Sequence, residues 1–115
     1  MARFLTILHG TDADVDRVEP NAQQQREFMN AWAAWAQNHG EALVDPGSPL
    51  FRKKRITAEG DEDLRLEDYE DSAVAYAIVE ADTHDAAVQI VSEHPHLRLA
   101  VGNSIGVIEC PPISD

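Results

Sequence analysis

Five histidines, His9, His39, His84, His94 and His96, are the first residues to weigh for chemistry, because imidazole changes charge near neutral pH. His94-Pro95-His96 is the most suggestive group, since the proline fixes the chain direction and holds two rings near each other. Such a pair offers two metal ligands, and the spacing identifies no third, so no metal site is assigned. His9 and Asp45 each stand at the end of an apolar segment, and a carboxylate set against an imidazole is the minimum apparatus for general acid–base catalysis. The candidate catalytic set is therefore His94, Asp45 and His9, with His94 as the acid–base group and Asp45 orienting it. Trp35, Tyr76 and His96 are the candidate ligand-lining residues. Each has a plainer reading: His94 and His96 as a helix cap and a packed ring, Asp45 as the start of an Asx turn with Pro46-Gly47, and Trp35 as part of an apolar stripe with Phe28 and Trp32.

Other chemistries are excluded. Asp12-x-Asp14-x-Asp16 begins like a calcium loop, but Arg17 stands where glycine is required and Gln23 where glutamate is. Ser48 and Ser104 have no adjacent base in sequence, and Gly102-Asn103-Ser104-Ile105-Gly106 is too short for a phosphate loop and precedes a strand. The single cysteine, Cys110, rules out an intrachain disulfide and points to a reducing, cytoplasmic setting. A formal net charge of −12 opposes nucleic acid and anionic membranes as partners. Against that background Arg52-Lys53-Lys54-Arg55 reads as a charged strand edge compensating nearby acids. No apolar run approaches the ~18 residues of a membrane span. No cofactor class is indicated.

The elements that must position these residues make one domain over 1–115. Arg3 to His9 reads as a strand apolar on both faces. A helix of about 18 residues follows, capped by Asn21 and stopped at His39-Gly40. Ala42-Leu43-Val44 reads as a short strand broken by a turn at Asp45 to Pro49, since two prolines and a glycine do not suit a paired central strand. Extended chain resumes from Leu50 to Thr57, and residues 59–72 read as an acidic mobile loop or hairpin tip. Val74 to Ala81 is the clearest strand; Asp82-Thr83 caps a second helix that Pro95 ends; a loop from Leu97 to Ser104 leads to a last strand, Ile105 to Cys110. This order predicts an α+β, ferredoxin-like βαββαβ fold with an antiparallel sheet and an extra hairpin. Two helices cover one sheet face, so a second copy of the chain is expected on the other, giving a homodimer with room for a small-molecule ligand in a cleft.

Trp32-Ala33-Ala34-Trp35, the run from Ala42 to Leu50, Tyr76 to Ala81, Asp85-Ala86-Ala87, His94-Pro95-His96-Leu97 and Ile108-Glu109, in this order, resemble a YCII-related protein. The resemblance implies a dimeric α/β barrel of ferredoxin-like halves, and a His–Asp pair in a cleft in the enzyme-like members. The Asp-Gly-Pro-Phe motif of the family's better-known subgroup is absent; Leu66-Glu67-Asp68-Tyr69-Glu70-Asp71 stands in its place. The alternative class is a non-catalytic accessory or protein-interaction module that uses its acidic loop.

Overall fold

In the computed structural model, residues 1–10, 22–50, 54–63, 73–99 and 102–111 are described. The expected Asn21 cap, the Asp12-x-Asp14-x-Asp16 run, Arg52-Lys53 and residues 64–72 of the acidic segment lie outside them. The strands are β1 (Ala2–His9), β2 (Leu43–Pro49), β3 (Lys54–Thr57), β4 (Gly60–Asp63), β5 (Ala73–Ala81) and β6 (Ser104–Cys110). The helices are α1 (Ala22–Asn38), α2 (His84–Ser92) and the single turn α3 (His96–Leu99). Four strands form an antiparallel sheet in the order β2-β5-β1-β6, while β3 and β4 pair as a separate hairpin.

Side chains alternate across a strand, and the two central strands obey that period of two. β1 buries Phe4, Thr6 and Leu8; β5 buries Ala75, Ala77, Val79 and Ala81. Trp32 and Trp35 of α1 and Ala87 and Val91 of α2 join the same cluster, so both helices lie on one sheet face. The alanines of β5 leave volume that the two indoles occupy, the interdigitation that close packing demands. Thr6, fully buried, satisfies its hydroxyl by donating to the Ala77 carbonyl at 2.8 Å. Thr83 caps α2 as expected, its Oγ1 accepting from the Ala86 amide at 3.0 Å. Beyond the helix ends, His39 meets the Glu93 carboxylate at 2.6 Å and ties α1 to α2.

The opposite face carries the intervening residues: Leu5 stands across from Ile78 and Ile108, and Ile7 across from Tyr76 and Gly106. These side chains are half-buried or, for Ile108, exposed. None of the helices named above packs on them.

Two local expectations need correction. β2 is not broken at Asp45 but runs through to Pro49, because it is an edge strand, where proline's missing donor costs no ladder bond. The prolines and Gly47 are absorbed as register shifts between Leu43 and Asp45 and between Asp45 and Ser48. After α2, the chain does not loop directly to β6 but makes α3, which starts because Pro95 sits where a first helical turn tolerates it. The acidic segment is a hairpin arm as far as Asp63, where Lys54–Asp63 and Arg55–Glu62 ion pairs at 3.3 and 3.5 Å join directly opposed residues. Among the described residues, no helix is long and apolar enough to cross a membrane.

Candidate functional site

Asp45 occupies the β2 edge opposite Ile78, on the sheet face away from the helices. Its Oδ1 accepts the Gly47 amide at 2.8 Å, the expected Asx turn, and its Oδ2 accepts the Tyr76 hydroxyl at 2.7 Å. Gly47 makes this possible. It has φ of 99°, and a Cβ there would stand 1.9 Å from the Tyr76 carbonyl oxygen, so only glycine lets β2 approach β5 this closely. The phenol's hydrogen bond first, and the Gly47 amide second, hold the Asp45 carboxyl below its ordinary range. The same bond, with lesser help from desolvation and the carboxylate's charge, pushes the Tyr76 phenol above its own. The pair is thus a fixed carboxylate and a fixed, protonated phenol, with lone pairs remaining on both oxygens for donors.

His9 ends β1 on the same face. A Cβ at Gly106 would lie 3.7 Å from His9 Nε2, so the imidazole rests over the gap that this glycine leaves. Asp45 and His9 belong to strands separated by β5, two inter-strand spacings of roughly 10 Å together, and Asp45 stands level with Leu5, four residues or about 13 Å along β1 from His9. They share a face without sharing a hydrogen bond of the Asp–His orienting kind.

His94 lies elsewhere. It is 1% exposed and packs against Trp32 and Trp35 with ring centroids 4.9 and 4.6 Å apart, on the helix side of the sheet. Its Nδ1 accepts the His96 amide at 3.0 Å, which puts the proton on Nε2, and among the described residues that buried N–H has no hydrogen-bond partner. Burial, then the nearby His96, push its pKa down to about 4. A neutral ring closed off from water is not placed to pass protons to a bound molecule, and Asp45 is across the sheet from it.

Trp35 donates its indole N–H to the Ile90 carbonyl at 2.9 Å and Trp32 to the Pro46 carbonyl at 3.0 Å, so both are satisfied core residues. Trp35 and Tyr76 therefore lie on opposite faces and line no common cleft. His96 is buried, its Nε2 donating to the His9 carbonyl at 2.8 Å, which fastens α3 to the end of β1. Of the six candidates, the structure brings Asp45 and Tyr76 into contact and sets His9 on their face, while His94, His96 and Trp35 belong to the helix side.

Sequence reasoning missed the Tyr76–Asp45 bond and the demand on Gly47. The readable signal was pairing of the Asp45-Pro46-Gly47 run with the clearest strand. It also missed a groove of about 350 Å³ between α2 and β6, lined by Val88, Val91, Leu97, Ile105 and Val107, with His84 Nε2 donating to the Val107 carbonyl at 2.8 Å. Among the described residues no three His, Cys, Asp or Glu side chains converge to hold a metal ion. The sequence matches no protein-family model, and no curated protein matches it.

Proposed function

We propose that this protein is a YCII-related, ferredoxin-like homodimer of the cytoplasm whose open sheet faces pack toward each other and enclose a small-molecule site. The observation that carries this reading is the Tyr76–Asp45 pair, held at 2.7 Å on a sheet face that the helices leave uncovered. Leu5, Ile7, Ile78 and Ile108 give that face an apolar floor, and the strand order β2-β5-β1-β6 is the one a ferredoxin-like half requires. A floor of this kind gains most by burial against a second copy, since the described helices cover the other side. The ligand is a small molecule bearing a hydroxyl or ammonium donor for the Asp45–Tyr76 oxygens and an apolar body for the floor. Any acid–base step on it uses Asp45 or, at the far end of the floor, His9, rather than His94.

Light scattering at micromolar concentration together with a thermal-shift panel of hydroxylated and cationic metabolites tests the reading. A mass of two chains, and a stabilising compound whose effect disappears in Asp45→Ala, are expected. A monomer whose stability no compound changes would remove it. The alternative, a protein-interaction module, draws on the β3–β4 hairpin, where Ile56 is 82% exposed among charged neighbours. It predicts instead that deleting the hairpin abolishes partner capture while leaving the thermal-shift panel flat.

A further inference from the structure

His94, Pro95 and His96 form a joint between the helix layer and the sheet. His94 acts as the N-cap of α3: its Nδ1 takes the His96 amide at 3.0 Å, its carbonyl takes the Leu97 amide at 3.3 Å, and Pro95 supplies the first helical position. His96 then reaches the His9 carbonyl at 2.8 Å, and Asn103 clasps the His96 carbonyl at 3.1 Å. Two buried polar atoms at this joint, His94 Nε2 and Asn103 Oδ1, have no partner among the described residues. The closed arrangement is therefore held at a cost, and the cap at 3.0 Å is a bond that a single proton reverses, as it would the longer contact of Asn103 Nδ2 with His96 Nδ1 at 3.5 Å.

We propose that His94 is an acid-operated latch: a proton taken up at Nδ1 sets two donors against each other, breaks the bond to the His96 amide and releases α3 from the end of β1. The consequence reaches the open face, because His96 holds the backbone of His9 there. The latch stands on this hydrogen-bond chain and does not depend on what the open face binds.

The groups around the ring set the conditions. α1 presents the two indoles, with His39 behind Trp35 at 6.0 Å between ring centroids. α2 ends at Glu93, whose carboxylate is occupied by His39 and whose carbonyl accepts Arg98 at 3.2 Å. Burial first, and the neighbouring His96 second, oppose protonation. Among the described residues no carboxylate is bonded to His94 itself.

The test is an NMR titration of the full chain between about pH 7 and about pH 3.5, following the His94 ring carbons, the amides of His9, His96 and Asn103, and far-UV circular dichroism. Expected is a common transition of ring and amides centred at about 4, with helical dichroism retained. In His94→Asn, whose side-chain oxygen accepts the same amide without titrating, the amide transition disappears; in Glu93→Gln it persists. Amides that stay fixed while the wild-type ring titrates would overturn the latch, and that comparison needs no variant. So would an unchanged transition in His94→Asn, its loss in Glu93→Gln, or a collapse of dichroism at the same pH.

Discussion

Tyr76 and Asp45 hold each other's protonation states apart, one raised and the other lowered by the same bond. The chain has two tyrosines, Tyr69 and Tyr76, so an ultraviolet titration of phenolate resolves the effect. Asp45→Ala is expected to bring the Tyr76 transition down to lower pH; an unchanged curve would mean that the bond does not persist in solution. His94 gives the opposite kind of signature. Its folded pKa of about 4 lies below the ordinary value of 6.5, so its contribution to stability is complete above pH 6.5 and is lost as pH falls toward 4. The loss is worth about 3 kcal/mol in all, at 1.36 kcal/mol per unit. Urea unfolding across that window should show this slope in the wild type and lack it in His94→Phe, whose ring keeps the packing but binds no proton. Equal slopes would show that the imidazole is not sealed.

At the scale of elements, two glycines make contrasting predictions. Gly47→Ala forces a Cβ to within 1.9 Å of a carbonyl oxygen in a left-handed residue, and should cost on the order of 3 kcal/mol and part β2 from Tyr76. Gly106→Ala meets only His9 Nε2 at 3.7 Å, an ordinary contact, and should be neutral or stabilising by about 0.5 kcal/mol in chemical denaturation. A reversal of that order would refute the register between β2 and β5. The two central strands and the helix with Trp32 and Trp35 were legible in sequence because periodicity records burial directly. β2 was not, because proline and glycine signal a turn and a bulged edge strand alike; only the neighbour β5 decides between them. The site was half legible for a related reason. Asp45, Tyr76 and His9 were named from residue type and position, but which sheet face each takes is a matter of register. Pairing His94 with Asp45 needed both on one side, and packing between two indoles drew His94 to the other.

In the proposed homodimer, the apolar face that the described helices leave open and the net charge of −12 pull in different directions, since two such chains would repel while their floors attract. Association should therefore tighten with added salt, which screens the repulsion, and sedimentation at low and high ionic strength measures this. Ile7→Lys places a charge at the centre of the floor and should leave monomers that retain their helical dichroism; dimers surviving that change would move the interface elsewhere. The chain's two tryptophans both lie at one corner, within 5 Å of a single imidazole and capped by carbonyls of α2 and β2. Its native fluorescence is therefore a local instrument: colour and intensity report the seam between helices and sheet, and a ligand settling on the far face would pass unseen unless the seam itself moved.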